Sequence, residues 1–204
     1  MPSPLSVKKN DYISNPKRSD IYTPQWLSRQ IHTILLSAGF GDNSHVFDPA
    51  IGHGALTIPF TDSGHNKISG CDILAVPGYV TCANGGKYLT KRFEEVERGE
   101  IDTPDIIVCN PPFNAASGRK LYPEVFLRHI EFLFGSKVPT VMIVPMGMRL
   151  NQRKNSIRWK YIRDTWEITS VIALPIDTFE CVLFHCEVLF FNVNGIKPHY
   201  FSEI

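Results

Sequence analysis

The sequence predicts an α/β fold, a mostly parallel sheet with helices on both faces. Three observations carry that prediction. Apolar strand-like runs alternate with helical patterns along the chain, which is the arrangement of βαβ units. Two of the runs, 105–109 and 141–144, are almost continuously apolar, as strands covered on both sides must be. Three runs end on a polar side chain, at Asp48, Asp72 and Asn110. Open sheets of this class bind ligands beyond the carboxyl ends of their strands.

The composition sets the frame. A chain of 204 residues, 43% apolar and 20% charged, has enough material for one well-cored domain and is short for two. Residues 1–20 are polar and carry Pro2, Pro4 and Pro16. They read as an arm ahead of a single domain over 21–204. The N-terminus has no apolar segment of the signal-peptide kind, and no run approaches a membrane span, so a cytoplasmic protein with no membrane partner is expected. The five cysteines include no Cys-x-x-Cys pair, which favours free thiols. Cys181, His185 and Cys186 lie in an apolar run without a second half-site, so no metal is expected. The net charge is only +1. Any nucleic-acid contact must therefore rest on a local patch.

The elements follow in order. "YTPQWLSRQIHTILLSAG" predicts a helix, with Thr23 as N-cap and Pro24 at the first helical position. Trp26, Leu27, Ile31, Ile34 and Leu35 form its apolar stripe, and Gly39 closes it. "SHVFD" is a strand ending at Asp48, followed by a glycine turn and a helix. "KISGCDI" and "PDIIVCN" are the next strands. "LYPEVFLRHIEFLF" is a helix packing through Val125, Phe126, Phe132 and Leu133 and ended by Gly135. "VPTVMIVP" is the fourth strand, a basic stretch runs from Met148 to Asp164, and "ITSVIALP" and "CEVLFFNVN" are two closing strands.

The strand ends carry the chemistry. In "DPAIGHG", Gly52 and Gly54 allow a tight turn that a ligand can approach closely. A dinucleotide site would want a third glycine where Thr57 stands. Asp48 ends the strand ahead of the glycines, which suits a cationic amino group better than a pyrophosphate. The plainer reading is an ordinary glycine turn. Asp72 stands where an acidic side chain would grip a ribose diol, although aspartate is common at strand ends. In "NPPF", the Asn110 amide oxygen and the Pro111 carbonyl are two rigid acceptors for the hydrogens of an exocyclic amine. Pro112 stiffens the loop, and Phe113 could offer a face to a planar base. The alternative is a proline turn with Phe113 in the core.

"DPAIGHG", "CDI" and "NPPF" on successive strands, preceded by "YTPQWL" and followed by "SVIALPIDTFECVLFHCEVLFF", resemble the S-adenosylmethionine (SAM)-dependent methyltransferases that modify adenine N6 in DNA. The motif order resembles the family's gamma arrangement, and the resemblance spans roughly residues 20–193. It implies a Rossmann-like class I SAM-dependent methyltransferase fold with a mostly parallel seven-stranded sheet. It implies that Tyr22, Thr23 and Pro24 contact the methionine part of SAM and that Asp48, Pro49, Ala50, Gly52 and Gly54 cradle the cofactor. Asp72 would hold the ribose, with Ile73 against the adenine ring. Asn110, Pro111, Pro112 and Phe113 would form the catalytic loop, acting on an adenine flipped out of the duplex. The family's acidic residue after the third strand has no clear equivalent in "GGKYLTKRFEEV", where Thr90 and Glu94 are the candidates to stand in. The gamma arrangement also places a target-recognition domain after the closing strands, and none is expected within the residues up to Ile204.

DNA is the expected partner, with RNA as the alternative. Arg149, Arg153, Lys154, Arg158, Lys160 and Arg163 form a basic stretch interleaved with Trp159 and Tyr161, suited to phosphates; the plainer reading is a solvated helix face. Lys8, Lys9, Lys17 and Arg18 on the arm could add to it. Target selection would come from weak sequence preference, a homodimer or a separate specificity subunit. Two other functions stay open. One is amino-methylation of an rRNA base or of a protein glutamine, where similar loops occur. The other is a degenerate fold that binds nucleic acid or a partner without catalysis.

Overall fold

In the computed structural model, the described residues are 22–62, 65–75, 83–113, 121–150, 153–179 and 185–203. The expected arm, Cys82 and Cys181 lie outside them. Among the described residues, eight strands form one sheet: β1 His45–Asp48, β2 Lys67–Asp72, β3 Tyr88–Thr90, β4 Ile106–Cys109, β5 Thr140–Pro145, β6 Ile168–Ala173, β7 Cys186–Phe191 and β8 His199–Phe201. Their order is β3-β2-β1-β4-β5-β7-β6-β8. All neighbours run parallel except β7, which is antiparallel to both β5 and β6. The sheet thus has one strand more than the seven expected. β3 and β8 are three-residue edge strands whose side chains are half-buried or exposed, so neither shows a buried-strand pattern.

The parallel core is apolar because both faces are covered. β1, β4 and β5 are buried at every position. Alternate residues feed two separate cores, as a period-two strand requires. On one face, Val46, Ile106, Val108, Val141 and Ile143 pack with Leu27, Ile31, Ile34 and Leu35 of helix α1 (Gln25–Ser37) and with Phe60 of the short helix α2 (Ile58–Asp62). On the other, Phe47, Ile107, Cys109, Met142 and Val144 pack with Phe126, Leu127 and Ile130 of α3 (Tyr122–Phe134) and Ile162 of α4 (Ile157–Thr165).

Two local expectations are corrected. α1 begins one residue later than expected: Pro24 occupies the cap position, and no side chain caps the helix. The Thr23 hydroxyl is engaged elsewhere. In α3, Phe126 is buried, Val125 and Leu133 are half-buried, and Phe132 is 51% exposed. The buried stripe runs through Phe126, Leu127 and Ile130 because these three project onto the sheet together. Phe132 instead lies under the Arg98 guanidinium, 4.5 Å from the ring centre.

Candidate active site

The sheet order places four strand ends side by side: Thr90 of β3, Asp72 of β2, Asp48 of β1 and Asn110, the residue after β4. Thr90 and Asp72 are register partners, so Thr90, one of two candidates for the family's acidic position, sits beside the ribose candidate. The chain winds outward in opposite directions from β1 and β4, and their junction is the switch point at which such sheets open a crevice. Asp48 and Asn110 stand on either side of it.

The glycine turn is tied to both aspartates. Asp48 is 2% exposed, and its Oδ1 accepts from the Ala50 N–H at 2.9 Å. Asp72 Oδ2 accepts from the Gly52 N–H at 2.9 Å, and its Oδ1 accepts from the Leu74 N–H at 3.0 Å. The Ile51 N–H donates to the Cys71 carbonyl at 3.0 Å. Gly52 and Gly54 have φ of 48° and 76°, left-handed values that a side chain disfavours. Residues 49–54 are thus wrapped over the ends of β1 and β2. Pro49 is buried, and Ala50 is half-buried. α2 starts only at Ile58, after further turns, and not directly behind the glycines.

The turn carries a strong electrostatic signature. Burial pushes the Asp48 pKa up to about 8; the Asp72 carboxylate pushes it the same way, and the Ala50 N–H pulls against both. A buried carboxyl in this state is stabilised in its charged form by any cation brought against it. Cys109 adjoins Asn110, yet it is 1% exposed and burial raises its pKa well above the ordinary thiol value. It is no thiolate nucleophile.

The upstream motif meets both others. Tyr22 is 49% exposed, and its ring stands edge-on to His53 of the glycine turn, with centroids 4.5 Å apart. Thr23 is 7% exposed, and its Oγ1 accepts from Asn110 Nδ2 at 3.1 Å across 87 residues of sequence. Pro24 accepts from the N–H groups of Leu27 and Ser28, seating the motif on α1. Ile73, 64% exposed next to Asp72, leaves an apolar surface open at the rim. Sequence reasoning missed His53, which no pattern in "DPAIGHG" singles out.

The "NPPF" loop is only partly as expected. Pro111 is buried and Pro112 exposed. Phe113 is 8% exposed within the α1-side core, edge-on to Phe179 with centroids 6.5 Å apart. It anchors the loop from inside and does not present a face to a base. Residues 114–118 lie outside the described ones.

The basic stretch divides in two. Arg149 makes a double contact with Glu187, at 2.6 and 3.2 Å, and Glu187 is 2% exposed. Arg158 contacts Glu124 at 2.7 Å, and Arg163 contacts Asp164 at 2.6 Å. Arg149 and Arg158 are thus engaged in ion pairs within the chain. Arg153, Lys154, Lys160 and Trp159 are exposed. His185 is exposed and Cys186 lies buried in β7. A groove of about 250 Å³ is lined by Glu94, Glu124, Val125, Arg128 and His129, and of these only Glu94, the other candidate for the acidic position, was singled out by the sequence. Among the described residues, no helix is long and apolar enough to cross a membrane.

No family model and no curated protein matches the sequence. Solved structures do match. A protein described as a modification subunit of a type I restriction enzyme from Vibrio vulnificus YJ016 superposes with a TM-score of 0.70 at 15% identity, over 96% of this chain and 49% of that one. One described as a class I SAM-dependent methyltransferase from Listeria monocytogenes gives 0.68 at 15% identity, over 88% and 65%. Magnesium protoporphyrin IX methyltransferase from Synechocystis PCC 6803, with bound SAM, gives 0.58 at 16% identity, over 82% and 78%. The chain spans about half of the first and about two thirds of the second. The fold of this chain is that of the class I SAM-dependent methyltransferases.

Proposed function

We propose that the chain is a SAM-dependent amino-methyltransferase acting on adenine N6 in DNA. The observation that carries this reading is the Asn110 amide. It sits at the end of a buried strand, is stiffened by Pro111 and Pro112, and is joined through Thr23 to the segment that reaches the glycine turn.

The residues at the neighbouring strand ends fit the cofactor. Asp48 offers a buried carboxyl to a cationic ligand, the Gly52–Gly54 turn leaves backbone open to close approach, Asp72 can accept from a diol, and Ile73 offers an apolar surface to a ring. Tyr22 would cover the methionine end. When bound, SAM supplies an electrophilic methyl group on a sulfonium. Asn110 Oδ1 and the Pro111 carbonyl accept the two hydrogens of the target amine and so fix the direction of its lone pair. Phe113 holds that loop to the core.

Arg153, Lys154 and Lys160, with Trp159 among them, are exposed in the basic stretch and would contact phosphates. Target choice would come from a second copy or a separate specificity subunit. A fold neighbour that is described as a modification subunit supports the latter.

The test is calorimetric titration with SAM followed by labelled methyl transfer. Wild type should bind SAM and label unmethylated DNA. Asn110→Ala should abolish transfer and leave SAM binding nearly intact. Full activity in that variant would remove Asn110 from the mechanism. Label in bulk RNA or protein in place of DNA would move the substrate to the rRNA or glutamine alternative. Absence of SAM binding at millimolar concentration would favour the non-catalytic one.

A further inference from the structure

We propose that Thr23 is a positioning residue for the Asn110 amide, restraining its rotation at the rim. The role rests on the reading of Asn110 as the catalytic acceptor.

The geometry is a clasp between two rigid supports. Thr23 is 7% exposed and precedes Pro24, whose φ is −59° and whose carbonyl receives the first N–H groups of α1. α1 is fixed in turn by Leu27, Ile31 and Leu35, none more than 1% exposed. Asn110 follows β4, buried at every position, and precedes buried Pro111. Between these supports the amide keeps one soft torsion, because the terminal sp³–sp² rotation of asparagine is broad and roughly two-fold.

The two ends of the amide have opposite chemistry. Nδ2 can only donate and Oδ1 can only accept. An amide rotated by half a turn would aim N–H groups at the hydrogens of the target amine and could not hold it. The 3.1 Å bond from Nδ2 to Thr23 Oγ1 restrains this rotation; because a hydroxyl can donate as well as accept, what Thr23 supplies is a hold on the amide and not a choice between its ends. The sequence suggested Thr23 as the N-cap of α1 and, by resemblance, as a contact of the cofactor; in the structure its hydroxyl caps no helix and meets Asn110.

The test uses Thr23→Val, which keeps the branched shape and removes the acceptor, beside Thr23→Ser, which keeps the acceptor. Three quantities are read: turnover in methyl transfer, SAM dissociation constant, and the side-chain amide resonances of Asn110 in ¹⁵N-labelled protein without SAM. In Thr23→Val, turnover should fall roughly tenfold, SAM affinity should stay within about twofold, and the Asn110 resonances should move; loss of one hydrogen bond is of that size. Thr23→Ser should restore most of the turnover and the wild-type resonances. Unchanged turnover in Thr23→Val would overturn the proposal, as would equal loss of turnover and SAM affinity, or equal damage by both variants. A wild type that neither binds SAM nor transfers methyl would sink the functional reading and the positioning role with it. Unmoved Asn110 resonances in Thr23→Val would deny the clasp itself, whatever the activity.

Discussion

Asp48 holds a carboxyl group where water does not reach. Burial raises its pKa to about 8, against about 4 for an aspartate in an unfolded chain. Between those values the folded state keeps the proton and the unfolded chain has lost it. The stability this group contributes is full below about pH 4, declines as pH rises, and is gone above about pH 8. Asp48→Asn preserves an acceptor for the Ala50 N–H and removes the titration. Thermal unfolding across that window should find the variant more stable than wild type at about pH 8.5, by a few kcal/mol at most, and equal to it near pH 4. A wild type that is the more stable at the alkaline end would contradict the assignment. The same linkage makes cation binding release a proton, so SAM affinity should strengthen as pH rises toward 8. Asp48, Asp72 and Asn110 were legible as single residues because a polar side chain at the end of an apolar strand is conspicuous. The Thr23–Asn110 bond was not, because it joins positions 87 residues apart and "YTP" read equally well as a helix cap. Phe113 shows the reverse: the sequence left both a stacking face and the core open, and the packing against Phe179 decides for the core.

At the scale of elements, the segment after β5 combines two kinds of cation. Arg149 pairs with buried Glu187 of the interior strand β7, so Arg149→Ala leaves a buried carboxylate unpaired and should cost about 3 kcal/mol in denaturant unfolding. Arg153 and Lys154 are exposed, so reversing both charges should change stability by less than about 0.5 kcal/mol. That double variant should instead weaken DNA binding and flatten its dependence on salt. An unchanged salt slope would return Arg153 and Lys154 to a solvated face, and an undisturbed Arg149→Ala protein would deny the internal role of that pair. The sequence showed the charges and hid their partners, since Glu124 and Glu187 lie 34 and 38 residues away. The long buried elements were legible for the opposite reason. Strands β1, β4 and β5 and helices α1 and α3 carry their pattern locally, whereas β3 and β8 are held by pairing at the sheet edges and leave too short a trace.

At the scale of the whole molecule, the sheet order converts scattered motifs into one site. β3, β2, β1 and β4 are neighbours, so residues from positions 72 and 110 are brought to the same rim as the glycine turn at 52–54. The order of the motifs along the chain suggested this arrangement, and the strand order places their ends side by side. The central claim is that this rim presents the N6 amine of adenine to the methyl group of SAM. The most direct measurement incubates the protein with unmethylated DNA and SAM carrying a deuterated methyl group, digests the DNA, and identifies the labelled nucleoside by mass spectrometry. The account expects the label on N6-methyladenine, absent in Asn110→Ala. Label on another base, or none in DNA while SAM is bound, would contradict it.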